Sequence, residues 1–256
     1  MRNIVLHYHL FKNAGTSVDA ILKDSFGANW INWDKPLGDS ATISPQEMEC
    51  FINNNKHIQA ISSHDLNPPL PYGNFKVFPI VFLRHPIIRA RSAYLFEWKK
   101  QLNLNEPKGS FLEYIRENIV DGIPGVVSNF QCYKLSNVVY GENYTRKNMP
   151  DFEVLDRAKL FINSIPYFGL VEHFHQSLVR LHYYLKATFP NILVTNKQTN
   201  VTQNVATEVN TKLAQIQEEL GEEIYTFLEK NNQLDLKLYN YAVNRFFSVV
   251  GRDSGV

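Results

Sequence analysis

The stretch Ile4-Val5-Leu6-His7-Tyr8-His9-Leu10-Phe11-Lys12-Asn13-Ala14-Gly15-Thr16-Ser17 decides the fold. The apolar run from Ile4 to Leu10 reads as a strand, the residues around Lys12 as a tight turn, and Ser17 to Phe26 as a helix that Gly27 closes. Backbone N–H groups in the first turn of a helix lack an intrahelical acceptor. With the helix dipole they make an anion site, and Gly15 lets a ligand come close to it. The order of residues is not that of a nucleotide triphosphatase loop, G-x-x-x-x-G-K-[ST], because Lys12 precedes Gly15 and the loop has no earlier glycine. A phosphorylated or sulfated ligand is expected.

A second strand and turn carry the complementary chemistry. Pro79-Ile80-Val81-Phe82-Leu83 reads as a buried parallel strand that runs into Arg84-His85-Pro86-Ile87-Ile88-Arg89-Ala90-Arg91-Ser92-Ala93-Tyr94, with Pro86 suited to the first turn of a helix. Arg84 falls at the strand end, and Ser92 eight residues on, two turns into the helix.

Taken in order, the two elements resemble those of sulfotransferases that use 3′-phosphoadenosine 5′-phosphosulfate (PAPS). The first resembles their 5′-phosphosulfate loop, and the second their R-x-P-x-x-R-x-x-S-x-Y element for the 3′-phosphate. Within that family the chain is most similar to the carbohydrate branch that includes the heparan sulfate 2-O-sulfotransferases. Tyr167-Phe168-Gly169-Leu170-Val171-Glu172-His173-Phe174 is similar to the branch's V-G-x-x-E-x-F strand-to-helix joint, and the segment from Gln233 to its closing amphipathic helix. One departure is His85, where the family has aspartate; histidine is the poorer helix N-cap.

The resemblance implies a P-loop-like, three-layer α/β fold with a short central parallel sheet flanked by helices. It implies that Lys12, Asn13, Ala14, Gly15, Thr16 and Ser17 hold the 5′-phosphosulfate, that Arg84 and Ser92 hold the 3′-phosphate, and that no metal is needed. The product would be adenosine 3′,5′-bisphosphate and the acceptor a carbohydrate or other hydroxyl. His64, in Ser62-Ser63-His64-Asp65 after a strand predicted over Ile58 to Ser62, matches the branch's catalytic base. An imidazole suits proton abstraction near neutral pH. Lys12 would stabilise the charge that grows on the leaving phosphate. The loop Asn196 to Gln203 is where the family often closes over the cofactor.

Composition is compatible with this. The chain has 256 residues, 44% hydrophobic and 20% charged, and no linker or low-complexity tract divides it, so one domain over residues 1–256 is expected. A formal net charge of +1 argues against wholesale nucleic-acid binding. No apolar run approaches the ~20 residues of a membrane span, and the first strand begins almost at Met1, so a cytoplasmic enzyme is expected. Cys50 and Cys132 read as buried free thiols. His7 and His9 share a strand face, but without a Cys/His/Asp partner set in the sequence they are assigned to structure. The same holds for His173 and His175.

Elsewhere, Ser44-Pro45-Gln46-Glu47 predicts a capping-box helix towards Asn53, and Pro86 a helix to about Gln101. Further helices are predicted over Ser110 to Asn118, Phe152 to Asn163, His173 to Ala187 and much of Thr207 to Val250, with short strands near Phe168 and Ile192. Arg89, Arg91, Lys99 and Lys100 could edge an acceptor groove or form a solvated helix face. The loops Asn103 to Gly109 and Asp121 to Lys134 are expected to shape the acceptor pocket. Two rival readings remain: a magnesium-dependent P-loop phosphotransferase or kinase, for which Asp65 is the carboxylate candidate, and a non-enzymatic glycan- or nucleotide-binding relative.

Overall fold

The computed structural model describes residues 1–36, 42–120, 125–136, 149–194 and 205–248. The chain divides into two compact units, one formed by Met1–Leu83 and Tyr133–Thr199, the other by Arg84–Cys132 and Asn200–Val256.

The first unit is built on strands β1 (Arg2–Tyr8), β2 (Trp30–Asn32), β3 (Ala60–Ser63), β4 (Phe75–Leu83) and β5 (Gly169–Leu170). They form a five-stranded, all-parallel sheet in the order β2-β3-β1-β4-β5. The fold is therefore α/β, with helices flanking a central parallel sheet, as the strand-then-helix rhythm predicts. In register, Val5 lies opposite Ala60 and Phe78, and His7 opposite Ser62 and Ile80. Period-2 alternation puts all of these on one face. Helices α1 (Gly15–Phe26) and α7 (Phe174–Lys186) cover that face. Val18, Ile21 and Leu22 of α1 and Leu178, Leu181 and Leu185 of α7 close a core with Val5, Phe78, Ile80 and Phe82. Each such side chain contributes ~1.5–3 kcal/mol on burial. On the other face, the Tyr8 ring packs 5.3 Å from that of Phe161 on α6 (Asp151–Ser164).

Helix α2 (Pro45–Asn54) starts as predicted. Ser44 Oγ accepts from the Glu47 N–H, and the Glu47 carboxylate accepts from the Ser44 N–H. Cys50 lies on its outer side and is exposed, so the expectation of two buried thiols holds for Cys132 alone. The strand expected near Ile192 is absent. Ile192 sits in a turn closed by its N–H on Phe189 O, and is buried because its side chain plugs the α1 side of the core. A three-residue apolar run serves an anchored loop as readily as a strand.

In the second unit, α3 (Pro86–Leu95) begins at Pro86, and the N-cap His85 makes no side-chain capping bond, in keeping with its poor capping chemistry. The helix predicted to reach Gln101 widens into a π-helical turn over Phe96–Lys100. Helix α4 (Phe111–Ile115) widens likewise over Arg116–Val120. Between them Tyr94, Trp98, Phe111 and Tyr114 pack in tilted and edge-to-face pairs, with centroids 5.2–5.9 Å apart for Tyr94–Phe111, Tyr94–Tyr114, Tyr94–Trp98 and Trp98–Tyr114. The aromatic abundance here is core packing.

The segment Asp121 to Lys134, expected as loop, contains helix α5 (Phe130–Leu135); residues 121–124 lie outside the described set. The long helical tail is α8 (Val205–Asn231), broken at Gly221 with φ 74°, followed by α9 (Gln233–Ser248). The first turns of α5 and α9 cap one another. Asp235 of α9 accepts from the N–H groups of Gln131 (3.0 Å) and Cys132 (2.7 Å), while Asn129 Oδ1 accepts from those of Leu234 (2.9 Å) and Asp235 (3.2 Å). Among the described residues no helix is long and apolar enough to cross a membrane.

Burial pushes the pKa of His85 down to about 4, and burial likewise lowers that of His7. Between about 4 and the ordinary 6.5 the unfolded chain binds a proton that folded His85 does not, so stability is complete above that window and falls as the pH drops through it. The urea midpoint should therefore decline from neutrality towards pH ~4, and His85→Gln should flatten part of that slope. An unchanged slope in the variant would remove His85 from the account.

Candidate functional site

In the first unit the turn after β1 is built on strained backbone. Lys12 (φ 63°) and Ala14 (φ 62°) are both left-handed, at a cost of ~1–2 kcal/mol each for a side chain with a Cβ. Between them Asn13 is buried, and its Nδ2 donates to Phe82 O on β4 at 2.7 Å. A left-handed Ala14 followed by right-handed helix from Gly15 turns successive N–H groups to one side, the geometry of anion-binding concavities. Thr16 is exposed at that helix start. The Lys12 ammonium stands 5.8 Å from the centroid of the Phe11 ring.

Gly15 has a further reason to be glycine. A Cβ there would run into the His9 imidazole, which leans on the start of α1. That ring stacks on His64 with centroids 3.9 Å apart and 28° between planes, so His9 physically bridges the turn after β1 and the candidate base. Each imidazole has its own carboxylate. His9 Nδ1 lies 2.8 Å from Asp19 Oδ2, and His64 Nδ1 lies 2.9 Å from Asp34 Oδ2.

Asp34 is fixed in turn. Its other oxygen accepts the His64 N–H at 2.7 Å and the Ser63 hydroxyl at 2.8 Å. Burial alone would raise the Asp34 pKa, but the bonds from His64 and Ser63 outweigh it and hold the pKa at about 2. With Nδ1–H donated to a fixed anion, Nε2 is the basic nitrogen of His64, and the side chain is 40% exposed. Lys134 donates to His64 O at 2.9 Å, and burial lowers its pKa against the pull of Asp65 and Asp34. Asp65, the magnesium candidate of the phosphotransferase reading, accepts the Lys35 N–H at 2.7 Å.

In the second unit Arg84, Ile88, Arg91, Ser92 and Leu95 line a cavity of about 290 Å³ with residues of α8. Lys212, Gln215, Ile216 and Glu219 recur on one face of that helix and supply the other wall. Arg91 pairs with Glu219 at 3.2 Å and Lys212 with Glu208. The main chain of Arg84 is clamped by one amide: Gln131 Oε1 accepts the Arg84 N–H at 2.9 Å, and Gln131 Nε2 donates to Arg84 O at 2.9 Å. Gln131 is itself held by Asp235 through the capping bond and a second contact of 3.4 Å. Arg89 is fully buried; it donates to Val126 O and its guanidinium lies 4.7 Å from the Phe130 ring centroid. It is a core residue and not a groove edge, and of the four helix cations in question only Arg91 lines the cavity.

The sequence-predicted residues thus fall into two sets. Lys12 to Ser17 and His64 belong to the first unit, and Arg84 and Ser92 belong to the second, where they share one cavity. Residues 196–203 lie outside the described set. Sequence reasoning missed Asp19, Asp34 and Lys134 in the first unit and Gln131, Lys212 and Gln215 in the second. Asp19 carried a legible signal, since it sits one turn into the helix that follows the His7/His9 strand. Asp34 and Gln131 act across about 30 and 47 residues respectively and had none.

No protein-family model matches the chain. It is similar to a protein of Archaeoglobus fulgidus described as uncharacterized, with 31% identity over 258 aligned positions covering 96% of this chain and 98% of that protein.

Gly15→Ala should displace the His9 ring and cost ~1–3 kcal/mol, as overpacking does. Chemical denaturation checks the cost, and imidazole NMR shifts of His9 and His64 should move together. Wild-type stability with unmoved shifts would contradict the packing described.

Proposed function

This chain belongs to one family with the Archaeoglobus fulgidus protein, and from the residues of its own candidate site we propose that it transfers a sulfuryl group from PAPS to an acceptor hydroxyl, with a carbohydrate as the preferred acceptor class. The observation that carries the reading is the cavity in the second unit. Arg84 and Ser92, paired on sequence grounds as a phosphate grip, line the same space with Arg91 and Lys212. A cationic fork, a hydroxyl and the apolar side chains of Ile88, Leu95 and Ile216 suit a phosphate borne on a nucleoside.

The first unit supplies what the transfer needs. The N–H groups of the Ala14–Gly15 turn bind the 5′-phosphate, as a left-handed residue before a helix start does for anions. The acceptor oxygen attacks sulfur in line, its proton passes to Nε2 of His64, and the bond from sulfur to the bridging phosphate oxygen breaks. Asp34 holds the imidazole in the tautomer that can accept the proton and stabilises the imidazolium that forms. The Lys12 ammonium stabilises the negative charge that appears on the departing adenosine 3′,5′-bisphosphate.

Calorimetric titration tests the cofactor reading. Adenosine 3′,5′-bisphosphate should bind without magnesium and more tightly than AMP or ATP, and Arg84→Ala should erase most of the preference over AMP, a loss of ~10–100-fold for a charge-assisted pair. A magnesium-dependent preference for ATP would establish the phosphotransferase reading instead.

The catalytic roles separate in kinetics. His64→Ala should lower kcat by ~10²–10⁴ with little change in bisphosphate affinity, and Lys12→Ala by ~10²–10³. Turnover near wild type in either variant removes that residue from the mechanism.

A further inference from the structure

Among the described residues, His7, His9 and Asp19 form the one set of three metal-ligating side chains whose donor atoms all lie within 4.8 Å of one another. The set comes from two elements fixed by different parts of the core. His7 and His9 follow one another on the same face of the β1 chain, and Asp19 sits one turn into α1. The carboxylate lies between the rings, with Oδ1 2.8 Å from His7 Nδ1 and Oδ2 2.8 Å from His9 Nδ1. The side chains are 1%, 11% and 14% exposed, so the site is enclosed but has an opening on the His9 and Asp19 side.

We propose that His7, His9 and Asp19 form a binding site for a divalent transition-metal ion, with Nδ1 of each histidine and the Asp19 carboxylate as ligands. The chemistry selects the ion class: two imidazoles with a single carboxylate favour zinc, cobalt, nickel or ferrous iron over magnesium or calcium, which take all-oxygen shells. Donor atoms that lie within 4.8 Å of one another can converge on a single ion.

Binding needs no net loss of protons when both rings are neutral. With its hydrogen on Nε2 each ring offers Nδ1 to the ion, which takes the place of the His7–Asp19 hydrogen bond and of the 2.8 Å His9–Asp19 contact. Ser62 Oγ, which lies 3.2 Å from His7 Nδ1 and accepts from Trp30 Nε1 at 3.1 Å, would yield its contact with that nitrogen to the ion. The site adjoins the one used for the sulfuryl-transfer reading, because His9 stacks on His64, but none of its three ligands acts on cofactor or acceptor in that reading.

The test is titration of the chelator-stripped full chain with Co²⁺, read by its visible absorption, and with Zn²⁺ by calorimetry. One ion per chain is expected, with the His7 and His9 imidazole signals shifted together in NMR on adding Zn²⁺ and no competition from excess Mg²⁺. His9→Ala and Asp19→Asn should each weaken binding by more than the ~10–100-fold that an outer partner of a metal ligand is worth. His57→Ala, which alters an exposed histidine elsewhere, should leave it unchanged. Circular dichroism of each variant separates loss of a ligand from loss of the fold; His7→Ala is left out because His7 is buried in the core. Absence of Co²⁺ and Zn²⁺ binding to the wild-type chain overturns the proposal, as does binding that survives both folded variants.

Discussion

A single buried amide holds the first unit's functional end in shape. The bond from Asn13 Nδ2 to Phe82 O joins the turn after β1 to the adjacent strand at a point sealed from water. Leaving such a group without a partner would cost ~1–3 kcal/mol, a sum comparable to the strain of the left-handed residues on either side of it. The bond therefore offsets the conformation that the turn needs. With the turn so fixed, α1 begins at Gly15, His9 can lean on its first residue, and His64 can stack on His9. The array is a chain of contacts in which each member sets the position of the next.

The second unit solves the same problem with charge. Its buried ions, Arg89 and Asp235, share one environment; burial raises the Asp235 pKa while Arg89 and the N–H groups of Gln131 and Cys132 draw it back. A carboxylate kept in a core in this way is costly by itself. Here it has an evident use, since it orients Gln131, whose amide clamps Arg84 by both of its main-chain polar groups. The guanidinium that faces the cavity thus rises from a backbone held as firmly as that of a strand.

How much of this was legible in the sequence follows from the range over which each signal acts. The parallel sheet, the capping box at Ser44, the Pro86 helix start and the turn between β1 and α1 were readable because period, cap and turn chemistry are local. The edge strand β2 was not, because two half-buried residues and an exposed Asn32 carry no period, and the Ile192 run misled because three residues are as short a signal. Arg84 and Ser92 could be paired because both lie on one strand-to-helix joint. Asp34, Gln131 and Lys212 could not, because the site residues they meet, His64 for the first and Arg84 for the other two, come from other elements and only the fold brings them near. Arg89 shows the converse: a cation that reads as surface in the sequence lies fully buried.

The exchange of caps between α5 and α9 has a consequence for how the chain acquires its structure. Helix ends are ordinarily among the most local features of a protein, completed as soon as a few residues have been made. Here each depends on a side chain more than a hundred positions away, with separations of 103 to 106 residues. The second unit is also interrupted in sequence by a stretch that belongs to the first. On a ribosome, the segment that clamps Arg84 would have emerged long before the residues that stabilise it. Closing so wide a loop is slow relative to local helix growth, so the cation-bearing half of the molecule should complete its order only after synthesis has passed α9.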